Sequence, residues 1–159
     1  MTNCIEIKGL CKSYPDFSLK NIDLTLPSGS ILGLIGENGA GKTTTIKCIL
    51  NLIRRDAGEI TLLGYDNIRE ERPAKADVGL VLDECFFHDT LRPLDVGRIL
   101  APSFQRWDEA LFRSYLKKFS LPEKKLIKEF SRGMKMKLSL SAALAHRPKL
   151  LILDEATAG

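Results

Sequence analysis

The sequence lacks the features that mark disulfide-rich, zinc-binding and membrane-spanning proteins. Its 159 residues contain four cysteines, and no two of them form a C-x-x-C pair. No apolar run approaches the roughly 20 residues that a membrane-spanning helix needs. The N-terminus has no basic flank followed by an apolar block, so we expect no secretory signal. We interpret the cysteines as reduced packing residues of a cytosolic protein, and we expect any membrane role to come through a partner.

Acidic residues are scarce in one part of the chain. Residues 105–149 carry twelve Lys or Arg and four Asp or Glu, a balance of +8, whereas the remainder carries twelve basic and sixteen acidic residues, a balance of −4. We interpret the basic segment as a solvated helical face. Nucleic acid and anionic lipid headgroups are the alternative ligands for such a segment.

Apolar residues indicate strands in the first half of the chain. Three segments have strand-like patterns: 4–10, 22–26 and 59–63. Three short apolar runs are typical of strands covered on both faces in a parallel sheet: 31–35, 78–82 and 150–153. A helix is expected at 42–53, between the first of these runs and a break at Asp56-Ala57-Gly58.

Helical patterns dominate between about 94 and 146. Asp108 is a candidate N-cap, and apolar residues four apart follow it. A last helix is predicted from about Gly133 to His146, ended by Pro148. Strands, then a helical block, then a buried strand predict an α/β core with a helical subdomain. We assign 1–93 plus 148–159 to the core and 94–147 to the subdomain.

The stretch GENGAGKTT matches the phosphate-loop pattern G-x-x-x-x-G-K-S/T. It follows the predicted strand 31–35 and opens the predicted helix 42–53, where a phosphate-binding loop must lie. The nine residues are the predicted nucleotide contacts: Gly36, Glu37, Asn38, Gly39, Ala40, Gly41, Lys42, Thr43 and Thr44.

Each residue type in this loop suits a triphosphate. Glycines let backbone N–H groups turn inward towards phosphate oxygens, and the helix N-terminus adds unpaired donors and partial positive charge. Lys42 supplies a cation to the β- and γ-phosphates, Thr43 offers a hydroxyl to Mg²⁺, and Thr44 can bond the α-phosphate side. The sequence therefore predicts a P-loop NTPase with ATP and Mg²⁺ as ligands.

Two carboxylates follow the last apolar run. Asp154 is predicted to hold Mg²⁺ through water, and Glu155 to accept a proton from the attacking water or to orient it. An Asp-Glu pair after a strand is usually only a strand end. Together with the Lys42 loop, it indicates a catalytic site.

Residues 129–159 resemble the signature region of the ATP-binding cassette (ABC) ATPases, and the resemblance extends over essentially the whole chain. Their L-S-G-G-Q motif maps onto Phe130-Ser131-Arg132-Gly133-Met134. The resemblance implies a P-loop core with an N-terminal antiparallel β subdomain and an inserted helical subdomain. It also implies that two ABC domains, as a homodimer or heterodimer, enclose ATP between them.

The resemblance assigns further nucleotide contacts. Ser131 and Gly133 are expected to contact the γ-phosphate held by Lys42 of the partner domain, and Tyr14 takes the position of the aromatic residue that stacks on adenine. Asp83 aligns with a Gln that usually serves as a Mg²⁺ and water ligand, so Asp83 is a predicted metal ligand, with Glu84 as the alternative. Arg132 stands where the family usually has Gly.

The family continues beyond the Asp-Glu pair with further strands and a γ-phosphate-contacting His, and neither His88 nor His146 matches that His. We expect the chain to be the first two-thirds of an ABC domain, truncated after its Asp-Glu motif. Such a piece is expected to bind nucleotide and to hydrolyse it poorly.

The resemblance implies an ATPase subunit that powers export through a separate transmembrane permease, lying on the inner face of the cell membrane. Two alternatives stay open: a soluble ABC ATPase outside transport, and a nucleotide sensor with low turnover. No nucleic-acid partner is expected, because neither a second cassette nor a coiled-coil insertion appears. A GTPase is disfavoured because the N-K-x-D motif is absent.

Overall fold

The chain divides into two compact units, Met1–Ala76 and Asp77–Gly159. We analysed a computed structural model, which describes residues 2–154. Within those residues, no helix has the length and apolar character needed to cross a membrane. The finer division predicted above, with boundaries near 94 and 147, remains a prediction.

The first unit is built on a four-stranded antiparallel sheet. Its elements in chain order are β1 (Asn3–Tyr14), β2 (Phe17–Pro27), α1 (Lys42–Ile49), β3 (Ala57–Leu62), β4 (Tyr65–Asp66) and α2 (Glu71–Ala76). The strand order is β2-β1-β3-β4, and a tight turn places Tyr14 opposite Phe17. Ile7, Leu10, Ile60 and Leu62 are at most 1% exposed. Ile60 and Leu62 are alternate residues of β3, and a register shift between Ile7 and Leu10 lets both of these β1 residues enter the core. The predicted strands 4–10, 22–26 and 59–63 are confirmed.

The predicted strand 31–35 is wrong for this structure. These residues form no strand, and Ile31 and Ile35 are 101% and 98% exposed. An apolar run becomes a buried strand only when neighbouring strands bond its N–H and C=O groups. Within the described residues, no strand pairs with 31–35. Apolar composition alone was therefore an insufficient basis for the prediction.

Helix α1 ends four residues earlier than the predicted range 42–53. Asn51 has a positive φ of 50°, which takes the backbone out of the helix. The Asn67 side chain, which is 0% exposed, donates from Nδ2 to the carbonyls of Cys48 at 2.9 Å and Ile49 at 2.8 Å. A buried amide from a distant loop thus satisfies the last carbonyls of the helix.

The second unit joins a short parallel sheet to a group of helices. Its elements are β5 (Val78–Val81), α3 (Pro93–Leu100), α4 (Glu109–Lys118), α5 (Arg132–Ala145) and β6 (Leu150–Leu153). Strands β5 and β6 run parallel, with Val78 opposite Leu150, which confirms the strands predicted at 78–82 and 150–153. Leu151 and Leu153 are 37% and 48% exposed, so β6 is covered on one face only.

The helices of the second unit enclose an apolar core. Phe112 and Leu116 of α4 and Leu138 of α5 are each 0% exposed. Asp108 caps α4 as predicted, since its Oδ1 accepts from the Leu111 N–H at 2.9 Å. The last helix was predicted to begin at Gly133 and begins one residue earlier.

His146 lies in an apolar setting at the end of α5. Its ring stacks on Phe104 with centroids 4.0 Å apart, and Nε2 lies 3.2 Å from the Val78 carbonyl oxygen. Burial lowers the pKa of the imidazole below its ordinary 6.5, while Asp77 and Arg106 act on the pKa in opposite directions. Folding therefore favours the neutral ring.

We expect this histidine to make the protein less stable in mild acid. The pKa of His146 is lower in the folded state than in the unfolded state. Its contribution to the free energy of unfolding is therefore complete above the unfolded-state pKa and is lost as the pH falls through the folded-state pKa. The free energy of unfolding, measured with urea, should fall between about pH 7.5 and about pH 5.5. His146→Phe should reduce this pH dependence, whereas His88→Gln, at an exposed histidine, should leave it unchanged. Equal pH profiles for all three proteins would contradict the assignment.

Candidate functional site

The loop 36–41 is an exposed turn that leads directly into α1. The Ala40 N–H donates to the Glu37 carbonyl at 3.1 Å, which closes the turn. Gly39 and Gly41 have φ angles of 86° and 92°, a region that residues with a Cβ rarely adopt. Glycines at these positions let the backbone reverse just before α1 begins at Lys42.

Close packing also requires glycine at two positions of this loop. A Cβ on Gly41 would lie 2.5 Å from Phe17 Cζ and 2.6 Å from Leu19 Cδ2, both on β2. A Cβ on Gly36 would lie 3.0 Å from that of Ala40. The start of α1 is therefore seated against β2, with no room for a side chain at Gly41.

Lys42 places a cation at the mouth of this loop. Its Nζ donates to the carbonyls of Gly36 at 2.6 Å and Glu37 at 2.9 Å. Within the described residues of the first unit, no acidic side chain forms an ion pair with it. The ammonium therefore bonds neutral oxygens, and its charge is not neutralised there. An anion with several oxygens is the chemistry that this arrangement suits.

Two threonines follow Lys42 in the first turn of α1. Thr43 and Thr44 follow the glycine loop and Lys42 directly, and their ligand roles remain predictions. Thr45, which the sequence analysis did not single out, donates from Oγ1 to the Gly41 carbonyl at 2.9 Å. This hydrogen bond stabilises the first turn of α1, so we assign Thr45 no role in ligand binding.

Tyr14 ends β1 and is 43% exposed. Lys12 Nζ lies 5.3 Å from the centre of its ring and 3.1 Å from Asp56 Oδ1. Asp56 also accepts a hydrogen bond from the Ser13 N–H at 2.7 Å. This bond is the larger cause, and the Lys12 hydrogen bond the next, of the lowered pKa of the Asp56 carboxyl. The ring is held at an exposed strand end with a cation over it. Stacking on adenine remains a prediction.

Asp154 directly follows β6 in the second unit. The residue is only 6% exposed, and its backbone N–H donates to the Val81 carbonyl oxygen at 2.9 Å. The parallel pairing of β5 and β6 therefore fixes the backbone of Asp154. The predicted catalytic residue Glu155 lies outside the described residues.

Ser131 and Gly133 lie at the start of α5. Ser131 is the N-cap, and its Oγ accepts from the Met134 N–H at 3.2 Å. Both residues are exposed, and a Cβ on Gly133 would meet nothing closer than Ser131 Oγ at 4.0 Å. The first turn of α5 thus presents open backbone, as the signature assignment requires.

Asp83, the predicted metal ligand, forms an ion pair through Oδ1 with Arg132 Nη2. The two residues are those at which the chain departs from the ABC pattern. Glu84, the alternative, is exposed. The metal role of Asp83 is not tested by this contact and remains a prediction.

The donor set suits Mg²⁺ bound with a nucleotide more than a metal bound by protein alone. Within the described residues, no group of three or more His, Cys, Asp or Glu side chains could hold a metal ion. Mg²⁺ commonly takes one or two protein oxygens and completes its shell with phosphate oxygens and water. Thr43, Asp154 and Asp83 remain the residues that the sequence predicts for such an ion. The ion would polarise the phosphate oxygens and offset their charge.

Sequence reasoning missed the side chains that hold the C-terminal end of α1, the helix that follows the glycine loop. Asn67 holds the far end of α1, and Arg55 donates to Asn67 Oδ1 at 2.7 Å and to the Gly58 carbonyl at 2.8 Å. Asp66-Asn67 next to a glycine turn was the available signal, since Asn and Asp often bond local backbone. Nothing in the local pattern linked it to residues 48 and 49.

Comparison with known proteins identifies the family. A family model described as ABC transporter matches residues 19–158. The chain belongs to the ABC transporter family. This confirms the predicted fold class, an α/β P-loop NTPase with an N-terminal antiparallel sheet and a helical subdomain.

Two curated relatives and one solved structure illustrate the similarity. The uncharacterised ABC transporter ATP-binding protein YdbJ of Bacillus subtilis is 34% identical over 98% of this chain and 51% of its own length. The bacitracin transport ATP-binding protein BcrA of Bacillus licheniformis is 33% identical over 100% of this chain and 53% of its own length. A solved ATP-binding subunit of an ABC transporter is 28% identical with a TM-score of 0.86, over 96% of this chain and 66% of that one. The chain spans about half the length of these curated relatives.

Gly41→Ala should disturb the start of α1. The substitution combines a strained φ with a Cβ that displaces Phe17 and Leu19, and Leu19 is only 6% exposed. We expect a loss of about 1–3 kcal/mol in the free energy of unfolding and weaker binding of a fluorescent ATP analogue. Gly29→Ala has a similar positive φ of 78° in open space, so it is the matched control and should keep nucleotide binding. Equal nucleotide affinity in both variants would contradict the role of close packing.

Proposed function

We propose that the protein is the ATP-binding and ATP-hydrolysing subunit of an ABC transporter, which powers export through a separate membrane protein. The observation that carries the proposal is the geometry of Lys42: among the residues that the structure describes, its ammonium donates to the carbonyls of Gly36 and Glu37 at the mouth of a glycine loop. A triphosphate would replace those carbonyls as the acceptor of its N–H groups. The membership of the ABC transporter family supports ATP as the nucleotide.

In this proposal each group of the site has one chemical role. Backbone N–H groups of 36–44 and the Lys42 ammonium bind and orient the phosphates, while Thr43 and Asp154 hold the Mg²⁺ ion. Glu155 accepts a proton from the water that attacks the γ-phosphorus. Tyr14 offers its exposed ring to adenine.

The second phosphate cradle is proposed to act on a nucleotide bound by another ABC domain. Ser131 and Gly133 lie in an exposed helix start that can receive an anion. Two copies, or this domain and a related one, would complete two sites through a twofold arrangement. Binding and hydrolysis would then close and open the pair.

Export through a membrane partner is supported by the bacitracin transport relative. We place the protein on the inner face of the cell membrane, bound to a permease. Affinity purification of the full-length protein from membranes tests this: a co-purifying multi-spanning membrane protein is the expected result. Recovery of RNA, DNA or ribosomes in its place would support the soluble ABC ATPase and overturn the transporter assignment.

Lys42→Met should weaken ATP binding. It removes the cation from the loop while keeping a long side chain in α1. Loss of a hydrogen bond to a charged group corresponds to about ten- to a hundredfold in affinity. Calorimetric titration with ATP and Mg²⁺ measures the change, and Lys47→Met is the control because Lys47 is exposed on the same helix. Equal losses for both variants would contradict the assignment.

Glu155→Gln should separate binding from chemistry. The amide keeps the size of the side chain but cannot accept the proton of the attacking water. In the full-length protein we expect ATP affinity to stay within about twofold and steady-state turnover to fall by about 10²–10⁴. Unchanged turnover would remove Glu155 from the mechanism.

A further inference from the structure

The segment that follows β5 is bonded at four points to residues 127–135, which lead into the first turn of α5. The Ile127 N–H donates to the Leu91 carbonyl at 2.9 Å, and the Lys128 N–H donates to the Asp89 carbonyl at 3.0 Å. Two ion pairs join the same segments, Arg132 with Asp83 and Lys135 with Asp89, the second at 2.8 Å. We call these two ion pairs the loop clasp. It connects the first turn of α5 to residues 49 and 46 positions earlier in the chain.

The clasp corrects an unfavourable charge distribution in α5. The helix begins with Arg132, has Lys135 in its first turn and has no acidic residue there. Cations near the positive end of a helix are destabilising. Asp83 and Asp89 supply the missing negative charge from the facing loop, and the Lys135 ion pair holds the pKa of Asp89 below its ordinary value. Both acids are therefore engaged with the helix start.

Comparison with α1 shows what the pairing does. Both helices begin with a cation, Lys42 in α1 and Arg132 in α5. Lys42 bonds neutral carbonyls, so its charge remains available to phosphate. The guanidinium of Arg132 is neutralised by Asp83, so this cation is used to hold the turn. Ser131 and Gly133, the proposed phosphate contacts, lie directly on either side of Arg132.

We infer that Asp83 is a positioning residue: acting through Arg132, it holds the turn of Ser131 and Gly133 in the orientation that receives the nucleotide phosphate. This inference rests on the proposed function. It gives Asp83 a role different from the predicted metal ligand, because its Oδ1 is bound to the guanidinium. It also explains why Arg132 is accommodated at the position of the first Gly in the L-S-G-G-Q motif.

The expected effect is moderate and confined to turnover. The side chains of Arg132 and Asp83 are 62% and 41% exposed, and pairs this exposed contribute little to global stability. Loss of the pair should lower kcat by up to about fivefold while the melting temperature barely changes. KM for ATP should stay constant, since the loop 36–44 is not altered.

A double-mutant cycle on the full-length protein tests the inference. The variants are Asp83→Asn, Arg132→Gln and the double variant, assayed for kcat, KM and the Mg²⁺ concentration that gives half-maximal rate. Each single variant should lower kcat, and the double variant should be no slower than either, because the second change removes an interaction already lost. The Glu109 and Arg113 pair of α4 is the control: it is similarly exposed, and Glu109→Gln with Arg113→Gln should leave kcat unchanged.

The outcomes separate the inference from the function on which it rests. If the unmodified protein hydrolyses ATP and the single variants match it, only the positioning role is overturned. The positioning role is also overturned if the kcat losses of the two single variants multiply in the double variant. It is overturned as well if Asp83→Asn alone needs a higher Mg²⁺ concentration for half-maximal rate, and that result would support Asp83 as a metal ligand. If the unmodified protein shows no turnover with its partner domain and membrane protein present, the proposed function fails and the positioning role fails with it.

Discussion

The first unit depends on how α1 is held at its two ends. At its start, Gly41 packs against Phe17 and Leu19, where no Cβ fits. At its end, the buried Asn67 amide bonds the carbonyls of residues 48 and 49. A helix of eight residues is too short to be stable on its own, so these contacts decide where it begins and ends. The position of Lys42 follows from them, and the Lys42 geometry carries the proposed function.

The same logic places Asp154 in the second unit. Four residues of β6 pair in parallel with four of β5, and the next residue, Asp154, is still bonded to the Val81 carbonyl. Asp154 is only 6% exposed, so its side chain has little freedom. In both units, backbone geometry fixes a predicted site residue at one end of a regular element. This is how an α/β fold can change loops and retain its chemistry.

Local patterns predicted well what depends on neighbours in sequence. Alternation found β1, β2 and β3, the Asp108 cap found the start of α4, and the glycine loop found its own turn and Lys42. The failures involve distance. Residues 31–35 were predicted as a strand from apolar composition, yet pairing is decided by residues far along the chain. Asn67 and the Asp83–Arg132 pair were missed because no local signal records which side chain a polar group will meet. The role of Glu155 came from its place after the last apolar run together with the phosphate loop, whereas the roles of Tyr14, Ser131 and Gly133 came from the family resemblance; all four remain predictions.

Electrostatic context distinguishes the two helix starts more clearly than their sequences do. Each begins with a cation after a turn that exposes backbone N–H groups, and both turns resemble an anion site. In the first unit the cation bonds carbonyls, which an incoming phosphate can displace at little electrostatic cost. In the second it is paired with a carboxylate, which a phosphate would have to replace charge for charge. Under the proposed function, α1 would therefore supply the positive charge and α5 the backbone donors, because Arg132 is paired with Asp83 and Lys42 bonds carbonyls.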